Sequence, residues 1–114
     1  VILFKAVHVP LILADIKTQT RRLWPHGCRA KVGSVHWAQT SFKPDSRFAR
    51  LHILRVWREE LGNISEADAC AEGYDSGSAY LNAFFEINKV DSKRGRARVV
   101  HERVWAVEFK RSAR

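Results

Sequence analysis

From Phe48 to Ile53 the chain alternates, with Ala49, Leu51 and Ile53 on one side and Arg50 and His52 on the other. That period of two belongs to a half-buried strand. The pattern continues through "LRVWREEL" but slips near Leu54, which predicts a long strand with a bulge or bend there. The opening "VILFKAV", rich in β-branched and aromatic residues, reads as another strand, and "SVHWAQTSF" as a third. "RVVHERVWAVEF" closes the chain as one or two strands, with Val104, Ala106 and Glu108 opposing Trp105, Val107 and Phe109.

The period changes between these strands. Pro10 can open a helical turn, and "PLILAD" is long enough for one or two turns. "WPHGCRAKVG" reads as a loop and "KPDSR" as a turn. In "ISEADACAEG", Ser65 is the expected N-cap, Asp68 holds the capping-box position and Gly73 supplies the stop. A second helix follows, because Tyr80, Phe84 and Ile87 recur on one face that Leu81 and Phe85 broaden. "DSKRGRAR" reads as a polar turn around Gly95.

Strands at both ends with a helical block between them make the class α+β, a small curled sheet or β-barrel with flanking helices. At 114 residues, the expectation is a single domain over positions 1–114. No apolar run approaches the roughly 20 residues of a membrane span, and the N-terminal stretch lacks signal-peptide features, so no membrane partner is expected. Cys28 and Cys70 have no CxxC partner, which predicts two reduced core thiols in a cytoplasmic protein. The net charge of +8 favours polyanions, and equally suits a small basic protein that merely avoids self-association.

Several chemistries drop out on spacing. The five histidines and two cysteines are scattered, with only "HGC" close together, unlike the paired ligands of structural zinc, so no metal is expected. There is no GxSxG, no GxxxxGK[ST] and no GxGxxG. Trp57 and Trp105 lie in apolar strand patterns and read as core, whereas Trp24 and Trp37 have polar neighbours and are candidates for a ligand. The concentrated chemistry is in "DIKTQTRRLW". Lys17 and Thr20 are three apart, a spacing that a turn can bring together and a strand sends to opposite faces. With Arg21 and Arg22 beside it, Lys17 would lose its proton more readily and could activate a threonine hydroxyl. Lys17 could equally be a phosphate contact, and the twelve carboxylates offer no unique acid by composition.

"ILADIKTQTRRLW" resembles the signature of the ASCH family, Gly-x-Lys-x-x-Glu-x-Arg after a helix end, with Lys17 and Arg22 matching and Asp15 and Thr20 in the glycine and glutamate places. "VGSVHWAQTSF" and the closing "VWAVEF" are similar to further family segments in the same order. The likeness is greater to the family's small bacterial amidohydrolases, which remove the acetyl group from N4-acetylcytidine. It implies a PUA-like β-barrel, Lys17 as base, Thr20 as nucleophile and Glu72 in the helical block as proton donor. Arg21, Arg22, Trp24 and Trp37 would bind a small nucleoside substrate, with Arg21 or Arg22 and backbone N–H groups steadying the oxyanion, and with no cofactor. The alternative is an RNA-binding module able to cut single-stranded RNA, with "SKRGRAR" and the terminal "KRSAR" as its basic track.

Overall fold

The computed structural model describes residues 1–112; Ala113 and Arg114, the end of the basic "KRSAR" tail, lie outside the described residues. Strands β1 (Ile2–Leu3), β2 (Gln19–Arg22), β3 (Val35–Gln39), β4 (Arg47–Glu60) and β5 (Arg103–Arg111) form one curled sheet in the order β1-β3-β4-β5-β2. Only β1 and β3 run parallel. Helices α1 (Val9–Leu13), α2 (Glu66–Ala71), α3 (Gly77–Ile87) and α4 (Lys93–Val99) complete the α+β fold. Among the described residues, no helix is long and apolar enough to cross a membrane.

The long strand is as its alternation predicts. Ala49, Leu51 and Ile53 are buried, and the β4–β5 register shifts between Ile53 and Arg55, leaving Leu54 as the bulged, exposed residue. β5 is a single strand that feeds two cores. Val107 and Phe109 pack with Ile2, Phe4, Ile12, Leu51 and Ile53, whereas Val104 packs with Leu61, Ala69, Tyr80, Phe84 and Phe85. The second core lies under α2 and α3, so both faces of β5 are covered and its alternation is blurred.

Four expectations need correction. β1 is only two residues long, because Ala6–His8 already form a 3-10 turn that runs into α1 at Pro10. "DSKRGRAR" is helical: Ser92 Oγ accepts from the Gly95 N–H, and Arg96 lies over Phe85 at 5.1 Å. Its polarity hides a helix of mainly Lys, Arg and Ala that only partly buries Val99 and the flanking Val90 and Val100. Trp57 and Trp105 are half-buried rather than core, their rings covered by Arg55 at 4.2 Å and Arg58 at 4.7 Å. Cys70 is exposed on α2, one position round from the buried Ala69, while Cys28 packs against the first core.

Candidate active site

The two edge strands of the curled sheet face each other across a cavity of about 330 Å³. β2 contributes Thr20, Arg21 and Arg22, and the β1 side contributes Leu3 and Phe4. Arg22 spans the seam: its Nη2 donates to Leu3 O at 2.6 Å, and its guanidinium lies 5.1 Å over the Phe4 ring. Lys17, Glu72, His8, Tyr74, the α3 residues Tyr80, Phe84 and Ile87, and the α3 C-cap Asn88 also line it.

Lys17 reaches this cavity because of how α1 stops. The Ile16 and Lys17 N–H groups both donate to Leu11 O, and Asp15 takes a left-handed φ of 61°. Glycine takes that conformation most easily; here aspartate adopts it, its carboxylate accepting from Arg111 at 3.2 and 3.4 Å. Gly73 ends α2 with φ +101°, where a Cβ would lie 3.0 Å from Leu11 Cδ1. Its missing side chain lets α1 and α2 close together, and the Thr18 N–H bonds Ala71 O across the gap.

Glu72 is the C-cap of α2, and it and Lys17 are almost wholly buried, at 3% and 2% exposure. Lys17 Nζ donates to Glu72 Oε1, Glu72 O and Gln19 O, each at 2.9 Å. All three ammonium N–H groups are thus used, one of them on a helix-end carbonyl that has no helical partner. The bond to Gln19 O places the amine at the peptide joining Gln19 to Thr20. Burial pushes the Lys17 pKa down from its ordinary value; Glu72 opposes this and the neighbouring arginines add to it. Burial, more than the adjacent arginines, perturbs this lysine.

Lys17 and Thr20 are brought together by the cavity rather than by a turn. Thr20 lies in β2, opposite Val107, and its Oγ1 accepts from Arg22 Nε at 3.0 Å, two residues along the same face. With an oxygen lone pair engaged, the Thr20 hydroxyl proton is free to donate into the cavity.

Arg21 has a different part from the one expected of it. Its side chain is 0% exposed and is spent on four acceptors. Nε bonds Glu59 Oε1, Nη1 bonds Gln19 Oε1 at 2.9 Å and Glu72 Oε2 at 2.8 Å, and Nη2 bonds Asp68 Oδ2 at 3.1 Å. Asp68, in the capping-box position, therefore turns to Arg21, while Ser65 alone caps α2 by accepting from the Asp68 N–H. The result is a carboxylate of Glu72 clamped at one oxygen by Lys17 and at the other by Arg21.

Trp24 and Trp37 do not line the cavity. Trp24 packs against the first core, and Trp37 lies on the outer face of β3 between Arg47 at 4.8 Å and Arg50 at 5.2 Å. The aromatic lining comes instead from Phe4, Tyr74, Tyr80 and Phe84. Helical spacing presents Tyr80 and Phe84 as core residues, which they also are, so their second role is not legible from the sequence. His8 carried no motif at all.

His8 Nε2 and the Tyr74 hydroxyl are hydrogen-bonded at 3.0 Å. Burial, with Lys17 and Arg22 nearby, lowers the His8 pKa from 6.5 to about 4. Above 6.5 His8 is neutral in both folded and unfolded chains; between 6.5 and about 4 only the unfolded chain binds the proton. Stability should therefore fall with pH across that window, by about 2 kcal/mol between pH 7 and about pH 5. Urea unfolding at the two pH values checks this, with His8→Gln expected to lack that part of the loss.

Comparison with protein-family models finds no match, and comparison with curated proteins finds none either. Solved structures do match. The ASCH domain from Lactobacillus crispatus superimposes with a TM-score of 0.64 at 18% identity, over 92% of this chain and 70% of that one. The ASCH protein of Zymomonas mobilis, solved as a mutant, gives 0.61 at 13% identity, over 96% and 65%. This chain has the ASCH fold. An Enterococcus faecalis protein described under the family model DUF984 superimposes on this chain with a TM-score of 0.71 at 15% identity, over 91% and 66%. The latter two extend beyond this chain, which spans just under two thirds of their length.

Proposed function

We propose that this ASCH-fold module is an amidohydrolase that cleaves the N4-acyl amide of a cytidine-type nucleoside. The observation that carries the reading is the Lys17–Glu72 pair, buried at 2.9 Å in a cavity that Thr20 also lines. The family resemblance supplies the substrate class. The cavity volume is within the range of small-molecule sites, and its lining suits a pyrimidine.

The pair can supply a base and an acid together. When a bound substrate displaces water, one proton moves from Lys17 Nζ to Glu72 Oε1 along their hydrogen bond, leaving a neutral amine and a neutral carboxyl. The amine takes the Thr20 hydroxyl proton as Oγ1 forms a bond to the acyl carbon. The carboxyl gives its proton to the exocyclic nitrogen as the C–N bond breaks, and cytidine leaves. The resting ion pair is then restored beside an acyl-threonine. The same transfer repeats with water as nucleophile and Thr20 Oγ1 as leaving group, releasing the acid, which ionises in solvent.

N4-acetylcytidine should be converted to cytidine with a change in ultraviolet absorbance. Thr20→Ala should remove the activity and Thr20→Ser should retain a measurable part. Full activity in Thr20→Ala would replace the acyl-threonine with direct attack by a Lys17-activated water, and no turnover by wild type would remove the reading.

The second reading, an RNA-binding module, is favoured by α4, where Lys93, Arg94, Arg96 and Arg98 occur with no acid in the helix. It expects affinity for single-stranded RNA that falls steeply with added salt, without consumption of the nucleoside.

A further inference from the structure

The cavity is lined by a deeply buried tyrosine whose hydroxyl has no partner among the described residues. Tyr80 is 4% exposed and packed in the second core, yet its hydroxyl makes no hydrogen bond to any described residue. No fully enclosed side-chain nitrogen or oxygen lacks a partner among the described residues, so this hydroxyl is reached from outside the packed core. The space it borders is the cavity of Thr20 and Glu72. A tyrosine buried this deeply ordinarily satisfies its hydroxyl within the protein, whereas this one opens onto the cavity. Here the partner has to come from what fills the cavity.

Lys17 and Arg21, two of the other polar groups around Thr20, are already occupied. Lys17 spends three N–H groups on Gln19 and Glu72, and Arg21 is consumed by its four acceptors. Arg22 spends Nε on Thr20 and Nη2 on Leu3, and its Nη1 makes no hydrogen bond to a described residue. Tyr80 is the neutral donor left free, and it is rigid. Its ring is set edge-on to Tyr74 at 5.7 Å and tilted against Phe84 at 6.2 Å, and Tyr74 is in turn tied to His8.

We propose that Tyr80 is a catalytic residue whose hydroxyl donates a hydrogen bond to the acyl carbonyl oxygen of the substrate and strengthens it as negative charge develops there. The assignment rests on the amidohydrolase reading and deepens it by naming a neutral donor for the oxyanion. Burial, together with the charge of Glu72, raises the pKa of the phenol well above its ordinary value, so it acts as a neutral donor and keeps its proton. A positioned donor of this kind is worth about 10²–10³ in kcat.

The test is Tyr80→Phe, measured three ways. Its kcat on N4-acetylcytidine should fall by about 10²-fold with KM changed less than about threefold, the split expected of a bond made in the transition state. Its urea midpoint should be unchanged or higher, since an unpartnered hydroxyl contributes nothing to the fold. The shape of its pH profile should match wild type, because Lys17 and Glu72 are untouched. A kcat within threefold of wild type overturns the role of Tyr80 alone, as does a rise in KM at constant kcat. A lowered urea midpoint assigns the hydroxyl to the fold instead. Wild-type protein that leaves N4-acetylcytidine intact overturns the amidohydrolase reading, and this inference with it.

Discussion

Arg21→Met is expected to cost about 3–5 kcal/mol of folding stability, the range for stranding buried charges by deleting their partner. Three carboxylates, from Glu59 at the end of β4, Asp68 on α2 and Glu72 at its C-cap, converge on this guanidinium, and Gln19 adds a fourth acceptor. Methionine fills much of the same volume and leaves the carboxylates facing one another. A loss of that size is a large fraction of the 5–15 kcal/mol typical of a whole domain. Arg21→Lys should recover only part, because one ammonium cannot reach acceptors arrayed around a planar fork. The check is urea unfolding of wild type, Arg21→Met, Asp68→Asn and the double variant. Removing the acid as well should return part of the loss, a coupling of about 0.5–3 kcal/mol between residues in contact. Additive losses would show that the network is incidental to the fold.

This network marks how far the sequence could be read. The long bulged strand and the α2 and α3 helices were legible because each carries a local signal. These were the slip at Leu54, the Ser65 cap with the Gly73 stop, and the recurring apolar face from Tyr80 to Phe85. The residues grouped around Lys17 were also legible, through a resemblance rather than through physics. What was not legible depends on long-range packing. Nothing local distinguishes Arg21, which sits under α2 and is buried, from Arg22, which crosses the seam to Leu3. Nor does the helical period reveal that the Tyr80 ring belongs to a core and its hydroxyl to a cavity. Trp37 misled for the same reason: polar neighbours mark exposure, and exposure on the outer face of β3 is not proximity to the site. The basic run after Asp91 concealed α4, because a helix that buries so little apolar surface leaves a weak pattern.

Lys17→Ala and Glu72→Gln are each expected to lower kcat/KM for N4-acetylcytidine by at least about 10³-fold, and the double variant to be little worse than either. Non-additivity of this kind follows when two groups act as one unit. Here they share one proton, at 2.9 Å. The pH profile carries a sharper consequence. The reactive form, with neutral Lys17 and protonated Glu72, has the same number of protons as the resting ion pair. The rate should therefore be level with pH while the pair holds that proton. It should decline on the acid side when a second proton arrives, and decline again on the alkaline side when the shared proton is lost. Because burial lowers the Lys17 pKa, the alkaline decline should begin below the usual lysine range. A mechanism in which Lys17 is the base and some other group, or none, is the acid has the opposite sign: its rate climbs as pH rises through the lysine pKa. Initial rates across neutral and alkaline pH separate the two, and a climb would detach Glu72 from the departing amine.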